Sequence, residues 1–190
     1  MNKQRTITKM KLLIASDIHG DLDSAKRVVD AFESEGCDKL LLLGDILYHG
    51  PRNDLPSTYA PKAVIALLNG YKDKIIAVRG NCDTEVDQMV LEFPVLADYA
   101  YVFCDGLSIF ATHGHHHNTA TPPPLAEGTI LLHGHTHVLK CEEFGRGNWY
   151  INPGSIALPK ENNPRTYAVY ENRAFTVKSI EGEVVLKKEF

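Results

Sequence analysis

The chain has 190 residues, 44% of them apolar and 23% charged, a profile that excludes a disordered or fibrous chain and suits one domain with a sizeable core. Its formal net charge of -4 excludes a basic face built to grip long nucleic acid. No apolar run approaches a membrane span, and the four cysteines form no CxxC pair of the zinc-knuckle or thioredoxin kind.

Lys3, Arg5, Lys9 and Lys11 crowd the N-terminus, but the apolar run that follows, Leu12 to Ala15, is too short for a secretion signal. The expectation is a cytoplasmic protein with reduced thiols. Residues 1–10 read as an extension and residues 11–190 as a single domain. Lys11 to Ser16 reads as a buried strand that runs into Asp17-Ile18-His19-Gly20-Asp21. Leu22, Ala25, Val28, Val29 and Phe32 then recur at helix spacing, and Gly36 ends that helix. Lys39 to Leu43 is a second strand, ending in Gly44-Asp45. A strand–helix–strand unit of this kind predicts a parallel pair.

Residues 48–61, with Gly50, Pro51, Pro56 and Pro61, read as an irregular loop. Ala63 to Leu68 is the middle of a second helix, and Lys74 to Val78 is a third strand, ending in Arg79-Gly80-Asn81-Cys82-Asp83. Thr84 is placed to cap a helix running to Leu91. The second half is mostly β. Ala100 to Phe103 and Leu107 to Thr112 flank an Asp105-Gly106 hairpin signal, and His113-Gly114-His115-His116-His117 follows. Thr129 to Leu132 leads into His133-Gly134-His135-Thr136-His137. Short strands follow at Val138 to Phe144, Trp149 to Asn152, Thr166 to Tyr170, Phe175 to Ile180 and Val184 to Lys187. The fold class is α/β: two packed sheets with helices outside.

Five strand ends carry ligand-type side chains: Asp17 and His19; Asp45; Asn81; His113; His135 and His137. Ligands of open α/β sheets bind at the carboxyl ends of strands. Taken singly, each has a bland explanation as a cap, a turn residue or a loop histidine. Seven at five strand ends do not share one. Side chains alternate on an extended segment, so His133, His135 and His137 are expected on one side of theirs. Two carboxylates, four imidazoles and one amide oxygen exceed the needs of one tetrahedral ion. They suit two ions roughly 3.5–4 Å apart, with one carboxylate bridging. Oxygen and imidazole donors without thiolate favour Mn, Fe, Co or Zn over Ca or Mg.

In order, D-x-H (Asp17, His19), G-D (Gly44-Asp45), G-N (Gly80-Asn81), H-G-H (His113 to His115) and G-H-T-H (Gly134 to His137) resemble the motifs of calcineurin-like metallophosphoesterases. The resemblance covers about residues 11–170. Gly-Pro-Arg-Asn at 50–53, Arg-Gly-Asn-Cys-Asp at 79–83 and Asn-Pro-Gly-Ser at 152–155 resemble the small bacterial YfcE-type phosphodiesterases. The family implies a two-sheet β-sandwich flanked by helices, αββα. It implies that Asp17, His19 and His137 bind one metal, that Asn81, His113 and His135 bind a second, and that Asp45 bridges them. Manganese heads the list of metals, with Ni, Co, Fe and Zn as alternatives. The implied reaction is hydrolysis of a small phosphodiester by in-line attack of a metal-bridging hydroxide.

His133 is not carried over and is expected beneath the ligands. The family's usual histidine after the Asn is Cys82 here, as in the YfcE-type branch, and a thiol is a weaker donor. Asp45, Asn81, Cys82 and His115 are the candidate catalytic residues, and Arg52 and His49 the candidate substrate contacts. Asn152 and Ser155 are expected to support the ligand loops, and Asp83 either to orient a neighbouring site group or to cap the following helix. No membrane or long nucleic-acid partner is expected; a homo-oligomer is compatible. The alternatives are a phosphomonoesterase or nucleotide phosphodiesterase, or a non-catalytic scaffold on the same fold.

Overall fold

The computed structural model describes residues 9–190. The expected extension at 1–10 therefore lies, apart from residues 9 and 10, outside the described residues. The first strand, β1 (Leu12–Ala15), is followed by α1 (Leu22–Ser34), β2 (Lys39–Leu42), α2 (Pro61–Asn69), β3 (Ile75–Ala77) and α3 (Glu85–Val90). The β-rich half follows: β4 (Tyr99–Cys104), β5 (Leu107–Thr112), β6 (Ile130–Leu132), β7 (Lys140–Phe144), β8 (Asn148–Asn152), β9 (Thr166–Glu171), β10 (Ala174–Ser179) and β11 (Val184–Glu189).

Two mixed sheets result. One has the order β11-β10-β9-β1-β2-β3, the other β4-β5-β6-β8-β7. In the first, β1, β2 and β3 run parallel, as the strand–helix–strand pattern predicts. In the second, β5, β6 and β8 run parallel. The carboxyl ends of β1, β2 and β3 and those of β5 and β6 meet at one edge of the sandwich.

Burial on both faces explains why β1 and β2 are apolar without alternation. Leu13, Ala15, Leu40 and Leu42 pack outward against Val28 and Phe32 of α1 and Val64 and Leu68 of α2. Leu12, Ile14 and Leu41 pack inward against Ile109, Ala111, Ile130, Leu132 and Ile151 of the second sheet. Among the described residues, no helical one joins this inner cluster. The second sheet's aromatics pack on one another, with Tyr101 stacked on Phe103 and Tyr99 on Phe110. Helices α1 and α2 thus lie on the first sheet, a lopsided form of the expected αββα sandwich.

Helix ends follow local chemistry. Asp21 caps α1 by accepting from the Ser24 amide at 3.0 Å. Gly36 takes φ +63° just past its end, where a left-handed residue closes the last turn. Thr84 and Asp87 form a reciprocal capping box on α3.

Two glycines let the strand-end loops touch. A Cβ on Gly134 would lie 1.8 Å from Ser16 Oγ and 2.7 Å from Asp17 Oδ2. A Cβ on Gly80 would lie 2.3 Å from the Asp45 backbone nitrogen. Gly134→Ala is expected to force the β1 and β6 loops apart and to lower stability by about 1–3 kcal/mol. For a chain of this size that is a fall in Tm of about 2–4 °C per kcal/mol in thermal unfolding. An unchanged Tm would show that the two loops do not meet as described.

Candidate metal centre

All seven expected ligands converge. Asp45 Oδ2 lies 3.7 Å from His19 Nε2 and 3.4 Å from His113 Nε2, so one oxygen faces two donor groups. On one side stand Asp17 Oδ1, His19 Nε2 and His137 Nε2, with separations of 3.3 Å (His19–His137), 3.3 Å (Asp17–His137) and 3.7 Å (Asp17–His19). On the other, His113 Nε2 lies 3.1 Å from Asn81 Oδ1 and 3.2 Å from His135 Nδ1. Donors held at about 2.0–2.2 Å from a common ion lie roughly 3.0–3.6 Å apart; all but the two 3.7 Å contacts of His19 fall in that range, and those two lie just beyond it.

The histidine tautomers show what the cluster needs. His19 Nδ1 sits 2.8 Å from the Tyr48 carbonyl, His113 Nδ1 2.7 Å from that of Leu43, and His137 Nδ1 2.6 Å from that of Leu158. A carbonyl only accepts, so each Nδ1 carries the proton and donates it. Each Nε2 then presents a lone pair to the centre, facing carboxylate oxygens. Asp17 Oδ1 is buried there without a hydrogen-bond partner. Acceptors pointed at acceptors in a dry site repel unless a cation lies between them. The residues therefore fit divalent metal ions.

Electrostatics agree. Burial would raise the Asp17 carboxyl, but the imidazoles of His137, His113 and His19 outweigh it and hold it well below the usual range. Burial opposes a charge on His113, yet its contact with Asp45 and the negative charge of Asp17 push its pKa up to about 9. The pocket thus favours positive charge at its centre. His135 is shifted down by burial and by the neighbouring His113.

The backbone is as specialised as the side chains. Asp17, His19, Asp45, His135 and His137 all have positive φ, between 51° and 66°. Such values are uncommon outside glycine, though Asp and His tolerate them best, and they gather at functional sites. They also correct one expectation. Strand β6 stops at Leu132, and 133–137 is a tight loop with His135 at φ 66° and His137 at φ 61°. His135 and His137 reach the centre through this turning backbone, not by alternation along a strand. His133 points elsewhere, stacked on Tyr150 at 4.3 Å.

The supporting residues are also in place. Asn152 Nδ2 donates to the Gly134 carbonyl at 2.9 Å, and Ser155 Oγ to the Asp17 carbonyl at 3.1 Å. Asp83 does not cap α3. Its buried carboxylate accepts from the backbone amides of Gly80, Asp45 and Ile46 at 2.7, 2.8 and 2.9 Å. It ties the β2 and β3 ends together. Burial pushes its pKa up to about 6 even so.

A cleft of about 350 Å³ opens over Asp45, Asn81, His135 and His137, with Arg52, Cys82 and Lys160 on its walls. Arg52 thus lines the cleft beside Asp45 and His135. Lys160 was not foreseen: it lies in a polar loop with no local signal, and its amide joins the site by donating to the His137 carbonyl at 3.0 Å. His49 is not on the cleft's wall; its ring packs edge-on against Tyr48 and Tyr59. His115 lies beyond His135, on the wall of a different cavity. Cys82 Sγ is 3.2 Å from Asn81 Nδ2, and burial together with Asp45 pushes its thiol pKa far up, so it stays protonated.

Asp83→Ala would leave three buried amides without an acceptor. It is expected to lower stability by about 3 kcal/mol or more in urea unfolding, with an unchanged m-value. Asp83→Asn, which keeps one acceptor oxygen, should fall between. A loss of under about 0.5 kcal/mol for the alanine variant would mean that this carboxylate does not hold the loops.

Residues 10–174 match the model of the calcineurin-like phosphoesterase superfamily domain. The chain is 43% identical to phosphodiesterase YfcE of Escherichia coli strain K12, over 93% of this chain and 96% of that protein. The solved structure of the E. coli YfcE phosphoesterase superposes with a TM-score of 0.91 at 42% identity, covering 94% of this chain and 98% of that one. Vacuolar protein sorting 29 from Cryptosporidium parvum shares the fold at 17% identity and a TM-score of 0.63, over 96% and 98% of the two chains. On the evidence of the domain match, the close bacterial relative and the converging donor set, this chain belongs to the calcineurin-like phosphoesterase superfamily.

Proposed function

We propose that the chain is a dinuclear-metal phosphodiesterase acting on a small phosphodiester. The observation that carries this reading is the position of Asp45 Oδ2, 3.7 Å from His19 Nε2 and 3.4 Å from His113 Nε2, between two otherwise separate donor groups. Asp17, His19 and His137 would hold one ion, Asn81, His113 and His135 the other, and Asp45 both. Manganese is the first candidate, and Ni, Co, Fe and Zn accept the same donors. Bound there, the ions supply Lewis-acid charge and lower the pKa of a water. The diesterase character of the E. coli relative supports the same reaction here.

The chain's own groups do the rest. Arg52 and Lys160 bring two positive charges to the cleft wall, where the non-bridging oxygens of an anionic diester would lie. Asp45 is held rigidly, its Oδ1 accepting from the Cys82 amide at 2.8 Å. That bond leaves Oδ2 free for the centre. The neutral Cys82 thiol is a poor proton donor to a departing alkoxide. Diesters with leaving groups of low pKa should therefore be favoured.

Chelator-stripped protein should regain hydrolysis of an aryl phosphodiester when manganese is restored. Asp45→Ala and His135→Ala should each lower the restored rate by about 100-fold or more. No turnover with any divalent metal would refute the diesterase reading. Cys82→His should raise turnover of alkyl diesters relative to aryl ones, by up to about 100-fold if the imidazole protonates the leaving oxygen. An unchanged ratio would remove the thiol from the explanation of leaving-group preference.

A further inference from the structure

The metal cleft has a neighbour that shares part of its wall. This second cavity, of about 460 Å³, opens on the far side of His135 and Thr136, which line both. The two are chemically opposite. The cleft over the metals carries Arg52 and Lys160. The second cavity carries Glu142, Glu161 and one lysine, Lys140, all exposed, so its charged groups sum to one negative charge.

Its floor is polar and unsatisfied. His133 is only 2% exposed, and its Nε2 has no hydrogen-bond partner. The ring is locked in place by stacking on Tyr150 and by the contact of its Nδ1 with the Gly134 carbonyl at 3.0 Å. His115 Nδ1 is likewise buried without a partner, on the wall of the same cavity. A buried polar atom left unpaired costs about 1–3 kcal/mol. Two at one concave surface, beside two carboxylates, mark a place built for a ligand that brings hydrogen-bonding groups.

A phosphodiester has two arms. With its phosphate over the metal centre, one arm leaves in the reaction and the other stays on phosphorus. We propose that the second cavity binds the arm that stays, and that this arm carries a vicinal diol, as glycerol and ribose do. This assignment rests on the diesterase reading above. Carboxylates are the natural acceptors for paired hydroxyls, which donate to them without bringing charge. His133 and His115 stand on the same wall, each with one buried ring nitrogen still unpaired. The same carboxylates repel an anionic arm, so a substrate with a second phosphate is disfavoured. The charge pattern thus sorts the molecule: the anionic phosphate goes to the arginine and lysine side, the neutral diol to the glutamate side.

The test keeps the leaving group constant. Manganese-loaded protein is given 4-nitrophenyl phosphodiesters whose second arm is glyceryl, 5′-uridyl or ethyl. The diol arms should raise kcat/KM over the ethyl arm by about tenfold or more. The double substitution Glu142→Gln, Glu161→Gln should bring that ratio below about threefold. A preference for only one of the two diol arms would name the source of the diol. Equal rates for all three arms, or a preference that survives the double substitution, would overturn the assignment. Calorimetry with glyceryl methylphosphonate, in which a P–CH3 bond replaces the leaving arm, is read in parallel. Binding that the double substitution weakens supports the cavity's role, while no binding, or equal binding to both proteins, overturns it. Absence of all turnover with intact binding would instead sink the diesterase reading.

Discussion

The fold converges on one unfavourable contact. Three imidazoles have their Nδ1 protons committed to backbone carbonyls, so their Nε2 lone pairs face the carboxylates of Asp17 and Asp45 inside a buried pocket. Without positive charge between them these groups repel, and they are too deeply buried for bulk water to screen them. The rise of the His113 pKa to about 9 is the same demand expressed as proton affinity. A divalent ion meets it more fully than a proton, because each ion satisfies several lone pairs at once.

Holding such a cluster together requires rigidity elsewhere. Five of the seven expected ligands adopt left-handed backbone, at a cost on the order of 1 kcal/mol each. The cost is offset by lashings between loops. Asp83 gathers three amides from the β2 and β3 ends, Asn152 holds the Gly134 carbonyl, and Ser155 holds that of Asp17. Behind them lie β1, β2, β5 and β6, whose core side chains are almost fully shielded from solvent. A sandwich buried on both faces of its first sheet gives these loops a stiff base, and the ligands stay near one another because the strand ends do.

Much of this was legible in the residues. Apolar runs ending in Gly-Asp, Gly-Asn or Gly-His named the strands and the ligands together, because a strand's end is where the chain must both turn and present a side chain. The capping of α3 by Thr84 was readable for the same local reason. What escaped was non-local. Lys160 reaches the cleft only through the pairing of its loop with His137, and nothing in its neighbours marks it. Asp83 read equally as a helix cap, since a carboxylate before a helix commonly is one; its three amide partners come from two separate strand ends. The alternation of His133, His135 and His137 suggested an extended segment. Positive φ at two of the three residues breaks that periodicity, and histidine gives no warning of it as glycine would. The second cavity is assembled by loops and strand residues from four regions of the chain and could not be seen before they were folded together.

The proposed dinuclear centre requires that one oxygen of Asp45 be shared between two ions. Electron paramagnetic resonance of the manganese-loaded protein tests it most directly, with metal content per chain measured on the same sample. Two manganese ions per chain with the multiline spectrum of an exchange-coupled pair are expected, and Asp45→Asn should weaken or abolish the coupling. A single ion per chain, or two ions giving the six-line spectrum of isolated manganese, would contradict the shared centre.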